Sequence, residues 1–485
     1  MKKSYLLFII GVTFISCRKY LNEPVYSQLS SQNFLVTEDG IASVLNASLA
    51  EGFISGYDAH SVQDILNWCT DIDWETGGGE NRTASLMINF AWDPSIDWLY
   101  NPMWQRPYFS IRDANIVIDN INNVFNLSTE KRNLYIAEAR FIRALDYYHL
   151  YMWFGPVPIR KHSNDSLELS RPSDEEMRNF IESELISVIP DLPNPGEESH
   201  YGLPNKGSAM ALLCKFYLNT KQWQKCAEIA QKIIDLNYYS LYPDYFKLFH
   251  VENEINREFI LVDPQVAKSG YGNNYINGAF PPQFYKDPIS GLTMQPNWNN
   301  WAAQYRLYDS FFNSFEPGDK RKSLIIYKYI NLNGDTISLL NNDNTRSFKY
   351  WPDPNAVSND HGNDIPEIRY ADILLSLAES LNEINGPNQE SIDLINLIRK
   401  RAGLPDIYLS SFHNKDELNE HILKERGWEF YDEVGIRRED QIRMGTFISS
   451  AVNRGHINAK PYMIRFPIPQ REIDANHKIV QNPGY

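Results

Sequence analysis

The stretch EKRNLYIAEARFIRALDYYHLYMWFGPVP, residues 130–158, decides the fold. Within it Ala137, Phe141, Leu145, Tyr148 and Met152 recur at spacings of four, four, three and four, so their side chains line one face of a long α-helix. Gly155-Pro156 closes that helix, because proline lacks the N–H that a further turn would need. Upstream, Trp104, Phe109, Ile116 and Ile121 carry a helical pattern, and Glu38 to Glu51 carries another. Downstream, Ser173 with Glu176 three residues later is a capping-box arrangement at the start of a helix over Pro172 to Leu185. Late in the chain the pattern returns at Tyr370, Leu374, Leu377, Leu381 and Ile384. It continues through Ile392, Ile395 and Ile398, in a helix closed by Gly403, and through a third helix over Lys415 to Tyr431. These patterns predict a mainly α protein.

Between the early and late helices lies a helical hairpin. Ala209, Leu213 and Phe216 mark its first arm and Trp223, Ala227, Ala230 and Ile234 its second, with a turn near Thr220. Small residues set among large ones let antiparallel helices approach closely, and the unit resembles a tetratricopeptide pair, without a regular repeat along the chain. Trp104, Trp153, Trp223 and Trp428 lie in helices and read as core. Two stretches have no sustained period. Asp71 to Pro102, rich in Trp, Asp, Asn and Gly, reads as loop. Tyr238 to Asp360 reads as long loops with a few strands at short apolar runs such as Phe259–Val262 and Leu324–Ile330. An ordered insertion of that length is usually functional. The last stretch, Pro467 to Tyr485, reads as extended and punctuated by proline. The expected organisation is one domain over residues 37–485, a helical scaffold with loop-rich segments near residues 68–103 and 238–360.

At the N-terminus Lys2 and Lys3 precede an apolar run, Tyr5 to Ile15, too short to span a bilayer, and Ser16-Cys17 follows. Residues 1–16 thus read as an export signal. Two readings of Cys17 are open: a lipoprotein cleavage site, which it resembles with Phe14 where Leu is preferred, or an ordinary signal with an incidental cysteine. An apolar run ending in Ser-Cys favours the first, with residues 17–36 as lipidated N-terminus and tether. Burying acyl chains contributes about 0.8 kcal/mol per methylene, so several chains hold a protein permanently at a membrane. Cys69, Cys214 and Cys226 are too few and too scattered for a disulfide framework or a zinc site. With 46 basic against 61 acidic residues the net charge is −15, and no basic block exceeds Lys320-Arg321-Lys322, so nucleic acid is not an expected partner.

Five short motifs in fixed order complete the reading. They are Ala137-Glu138-Ala139-Arg140-Phe141 leading to Phe154-Gly155-Pro156-Val157-Pro158; Arg369-Tyr370-Ala371-Asp372-Ile373-Leu374-Leu375 with Ala378-Glu379; and Ile398-Arg399-Lys400-Arg401-Ala402-Gly403-Leu404. Then follow Glu425-Arg426, Glu429-Phe430, Arg437-Arg438, Asp440 and Arg443, and finally Pro467-Ile468-Pro469, Glu472-Ile473 and the terminal Gln481-Asn482-Pro483-Gly484-Tyr485. Along its whole length the chain resembles the SusD/RagB family of outer-membrane nutrient-binding lipoproteins. Val434 and Met444 stand where relatives often have Glu and Trp, and few acidic residues follow Cys17. The resemblance implies a SusD-like fold, a lipid anchor in the outer membrane facing the exterior, an oligosaccharide ligand and a SusC-like TonB-dependent transporter as partner. The RagB side of the family allows a peptide ligand instead. The charged residues of the fourth motif could pass for an acid–base pair held by arginines, but partly buried Arg–carboxylate pairs tying helices together explain them without a substrate.

Sugar rings present apolar CH faces and a rim of hydroxyls, so a site needs exposed aromatic rings beside Asp, Asn and Arg. Two segments outside the helical stripes offer this. One carries Trp68, Asp73, Trp74, Glu80, Asn81 and Arg82 around Gly77-Gly78-Gly79; the other carries Asn273, Asn274, Tyr275, Trp298 and Trp301. The resemblance implies that the two come together on one face. The candidate ligand contacts are therefore Trp68, Asp73, Trp74, Asn81, Arg82, Tyr275, Trp298 and Trp301, while the plainer alternative is that these aromatics cap the helical core. Asp71 and Asp73 are oxygen donors of the kind Ca²⁺ chooses, but two carboxylates do not make a site, so neither metal nor cofactor is expected. A glycoside hydrolase would need two carboxylates at a fixed separation across a cleft, and no motif singles out such a pair. A purely protein-binding scaffold would place function on the helices instead. The expected activity is binding without catalysis.

If Cys17 is the acylated N-terminus, Cys17→Ala moves the protein from the membrane to the soluble fraction with its fold intact. Full retention of that variant in outer membranes lacking the transporter contradicts the anchor.

Overall fold

The computed structural model describes residues 34–52, 59–301 and 304–485; Cys17 and the export signal lie outside them. Ser128 opens the long helix, its hydroxyl accepting the Lys131 N–H at 3.2 Å, and the helix runs Thr129–Phe154. Gly155 stops it at φ +76°, and a Cβ there would lie 2.7 Å from the Arg465 guanidinium, so both backbone and space call for glycine.

Around this helix, α5, the scaffold is built in chain order. Preceding it are α1 (Glu38–Gly52), α2 (Ala59–Asn67), α3 (Asn81–Ile88) and α4 (Arg106–Asn120). Following it are α6 (Asp174–Val188), α7 (Lys206–Asn219) and α8 (Trp223–Asp235), then α9 (Tyr370–Asn385), α10 (Gln389–Ala402), α11 (Lys415–Phe430) and α12 (Ile436–Arg443). The Ser173–Glu176 capping box is present at the start of α6. Each helix from α4 to α10 packs on the next, and α11 packs on α9. Cys214 and Cys226 face each other across the α7–α8 hairpin, free thiols with Sγ atoms 3.7 Å apart in the core. Trp104, Trp153 and Trp428 are buried as expected, while Trp223 is half-buried. No helix among the described residues is long and apolar enough to cross a membrane.

The packing of α8 on α9 spans the whole loop-rich insertion, which leaves the scaffold between two neighbouring helices and returns to it. Its base is closed by β2 (Phe259–Asp263) paired antiparallel with β9 (Ile365–Arg369). Within it are β3 (Phe284–Lys286), β6 (Lys328–Asn331) and β7 (Thr336–Ser338) in one sheet, and β5 (Ile325–Ile326) paired with β8 (Arg346–Ser347). The segment read as loop from Asp71 to Pro102 departs from expectation. It holds β1 (Asp73–Glu75), α3, a short helix Asp97–Tyr100 and the start of a π-helix, Asn101–Gln105. In α3 only Ala84 and Met87 are buried, too few positions to display a period. The stretch after Pro469, read as extended, likewise makes a short helix, Gln470–Ala475.

Buried ion pairs lock these parts together. Arg369, at the end of β9, donates to Glu258 at 2.5 Å, to Glu429 at 3.0 Å and to both oxygens of Glu433 at 2.7 and 2.8 Å. Arg401 reaches Glu258 at 2.7 Å and also Glu429, and Arg321 reaches Asp319 at 2.7 Å and Glu425 at 2.6 Å. Arg426 joins Asp372 to Asp440, and Arg443 joins Asp440 to Glu379. Glu425, Arg426, Glu429, Asp440 and Arg443 of the fourth motif thus sit in buried ion pairs that tie separate elements together. Arg438 differs: it donates to the Ile464 carbonyl at 2.8 Å and lies 4.4 Å over the Phe466 ring.

Removing one partner of a buried pair strands the other's charge, so Arg369→Met is expected to destabilise the protein by about 3–5 kcal/mol in denaturant unfolding. The pH response follows from signs. Burial raises the Glu429 carboxyl, but Arg401, Arg369 and Arg321 outweigh it and hold it at about 2, below its ordinary 4.5. The stability it contributes is present above pH 4.5 and lost as pH falls toward 2. Burial pushes Glu138 up to about 7 and Glu75 up to about 8, so their contribution is present below pH 4.5 and lost as pH rises through those values. The stability that these three groups contribute is expected to be largest near pH 4.5, so Glu75→Gln and Glu138→Gln should lessen any fall in melting temperature between pH 5 and 8; an unchanged pH profile in both variants contradicts this assignment.

Candidate functional site

The two loop segments meet through one short ladder. β1 pairs antiparallel with β4 (Tyr305–Leu307), setting Trp74 opposite Arg306. Alternation along a strand turns Asp73, Glu75, Tyr305 and Leu307 inward, where they are buried, and leaves Trp74 and Arg306 half-exposed on the outer side. There the Arg306 guanidinium lies 5.1 Å from the Trp74 ring centre and Tyr308 stacks on the same ring at 6.2 Å. The indole N–H donates to the Asp343 carbonyl at 2.9 Å, which fixes the ring's orientation.

Inward, Tyr305 packs between Trp68 at 6.0 Å and Tyr275 at 5.4 Å, and its hydroxyl bonds to Glu80. Gly278 makes this possible: a Cβ there would lie 2.3 Å from the Tyr305 ring. Trp301 anchors the far end, its backbone N–H donating to Asn277 and its indole N–H to Asn359 Oδ1, each at 2.9 Å. Trp298 donates to the Asp353 carbonyl at 2.7 Å and stacks on Phe280. One side of it lines a cavity of about 260 Å³ beside Trp351, whose ring is stacked on His250.

The eight expected contacts therefore separate by burial. Trp74 and Trp301 are half-buried and Asn81 and Arg82 are exposed at the start of α3. Trp68 (2% exposed) and Tyr275 (4%) lie inside the framework, where neighbouring rings cover them. Asp73 is likewise interior; burial and the nearby Asp432 push its carboxyl well above its ordinary range. Trp298 is buried apart from the side lining its cavity. Asp71 is engaged by Arg437 through two hydrogen bonds of 2.7 and 2.8 Å. Among the described residues no group of three or more His, Cys, Asp or Glu side chains is arranged to hold a metal.

Sequence reading missed Trp98, half-buried and stacked on Trp68 at 6.4 Å, and the run Tyr305-Arg306-Leu307-Tyr308. Trp98 stands between Asp97 and Asn101 in the same loop-rich segment, which was an available signal. The Tyr305–Tyr308 run shows the alternation of a strand, but nothing in it names β1 as its partner.

These features define a class: a helical scaffold with a loop-built aromatic and polar face. Residues 237–485 match the SusD family and residues 19–218 match the family described as starch-binding, associating with outer membrane. The chain belongs to the SusD family. A SusD-like protein of Formosa agariphila is 26% identical over the full length of both chains. Starch-binding protein SusD of Bacteroides thetaiotaomicron is 24% identical, over 84% of this chain and 82% of that one. Among solved structures, a laminarin-binding SusD-like protein superposes with a TM-score of 0.78 at 23% identity, covering 93% of this chain and all of the other. Surface glycan-binding protein A of Bacteroides thetaiotaomicron, in complex with laminarihexaose, gives 0.75 at 20% identity, covering 92% and 99%. The shared fold is the mainly α SusD fold.

Burial predicts how truncation divides these rings. Trp68→Ala is expected to cost about 3–5 kcal/mol of stability, as for a core aromatic, whereas Trp74→Ala and Trp301→Ala should lower the melting temperature much less.

Proposed function

We propose that this protein is a lipid-anchored surface binding protein that captures an oligosaccharide on the β1–β4 face and passes it to a SusC-like TonB-dependent outer-membrane transporter. The observation that carries the reading is the Trp74–Arg306 register, which joins two distant segments into one face. Within the segments so joined, Trp74, Trp98 and Trp301 are half-buried rings and Asn81 and Arg82 are exposed, the mixture that a sugar's CH faces and hydroxyls require. The starch-binding and laminarin-binding names of relatives support a glycan, and the family description supports the outer membrane. Ser16-Cys17 supplies the anchor. The relatives are named as binding proteins, which supports capture without hydrolysis.

Ring stacking contributes on the order of 1 kcal/mol beyond area burial, and each hydroxyl must exchange water for protein. The expected Kd lies in the micromolar to millimolar range, roughly −8 to −4 kcal/mol. Calorimetry with a glycan panel that includes starch and laminarin oligosaccharides tests this. Trp74→Ala or Trp301→Ala should abolish measurable binding while leaving the protein folded; wild-type affinity in both places the site elsewhere. In the same panel, overnight incubation should yield no cleaved product. Product that scales with protein and disappears when one carboxylate is changed overturns binding-only function.

A further inference from the structure

Another cavity, which shares no lining residue with the β1–β4 ladder, lies between the start of α4, the loop after α5 and the C-terminal segment and encloses about 350 Å³. That volume falls within the roughly 300–1,000 Å³ usual for small-molecule sites. One wall comes from the π-helix Asn101–Gln105, which runs directly into α4. Tyr100 lines the cavity half-buried, backed by the buried Trp104 and Tyr108, whose rings pack 5.4 Å apart. A π-turn interrupting a helix frequently marks a functional site.

Polar groups converge on this aromatic wall. The Arg160 guanidinium lies 5.0 Å over Tyr108, and its Nε is buried without a hydrogen-bond partner. Glu472 faces it from the short helix Gln470–Ala475, its carboxyl raised by burial although a Trp104 hydrogen bond lowers it. At the mouth, Phe109 (39% exposed) and Leu167 (70%) leave large apolar side chains in solvent. The other charges on the lining are engaged: Arg112 by Asp113, and Asp165 by the Lys161 and His162 N–H groups.

We propose that this cavity is a second saccharide site, taking one or two neutral pyranose units independently of the β1–β4 face. The half-buried Tyr100 ring and the exposed Phe109 ring at the mouth suit the CH faces of a sugar, and the unsatisfied Arg160 donor and the Glu472 acceptor suit its hydroxyls. Opposed charges across the cavity favour a neutral ligand over an ion of either sign, because an ion would meet a like charge as well as an opposite one.

The test is saturation-transfer NMR on the purified protein with millimolar methyl glycosides of glucose, galactose, mannose and xylose, and with cellobiose. Ring protons of at least one probe should saturate in the wild type and equally in Trp74→Ala. Arg160→Met, which keeps the aliphatic stem over Tyr108, should weaken that binding about tenfold or more through loss of a charged donor. Phe109→Ala, a change at the exposed mouth, should weaken it several-fold and decides the matter if Arg160→Met does not fold. The proposal is overturned if no probe saturates, or if Phe109→Ala and a folded Arg160→Met bind as wild type. It is equally overturned if saturation is lost in Trp74→Ala, which would assign all sugar binding to the β1–β4 face. Persistence of the signal when Trp74→Ala and Trp301→Ala leave oligosaccharide affinity unchanged would fault the reading of that face and spare this one.

Discussion

Arg369 is buried where β9 becomes α9, and its guanidinium is satisfied only when two remote parts of the chain, at Glu258 and at Glu429–Glu433, arrive together. Glu258 immediately precedes β2, while Glu429 comes from the last turn of α11 and Glu433 from the turn beyond it. A charge withdrawn from water without partners costs several kcal/mol, so any arrangement that omits one of these groups is penalised. Glu429 is shared with Arg401 and Arg321, and Glu433 with Lys349, which also donates to the Glu429 and Tyr431 carbonyls. Hydrophobic packing alone tolerates small slips between helices. This set of fixed hydrogen bonds does not, and it couples the position of α11 to the base of the insertion.

That coupling matters because the insertion is a detour within an otherwise continuous run of packed helices. α8 and α9 are neighbours in space although most of the loops lie between them in sequence. The β2–β9 pair and the Arg369 cluster close the base, so the loops project from a fixed platform. β1 then reaches across from the N-terminal part of the chain and captures β4, with Tyr305 clasped between Trp68 and Tyr275. Trp74 is held outward as a consequence of the strand's alternation.

The electrostatics behind this face differ from what the net charge of −15 suggests. Asp64 and Asp73 are buried, and desolvation together with neighbouring carboxylates raises both well above the ordinary range, while burial puts Glu75 at about 8. At about 8 the Glu75 carboxyl favours its neutral form at pH 7, and burial shifts Asp64 and Asp73 in the same direction, so the wall behind Trp74 carries less negative charge than its composition implies. Such a wall suits a neutral ligand.

The helices were legible in the sequence because a core-facing stripe repeats every three or four residues within a contiguous window, as Ala137 to Met152 does. The Ser173 cap was legible for the same local reason. The family motifs extended that reading to the fold as a whole. Local pattern failed where an element was short, as in α3, or where its partner was remote, as for β1 and β4. It also could not rank tryptophans. Trp68 and Trp74 stand in the same polar, glycine-rich context, yet one is covered by Trp98 and Tyr305 and the other stands on the outer side of a strand. The sequence by itself determined the helical scaffold, the place of the insertion and the family. The tertiary structure alone decided which aromatic rings remain partly open, because exposure depends on what distant segments bring against each face.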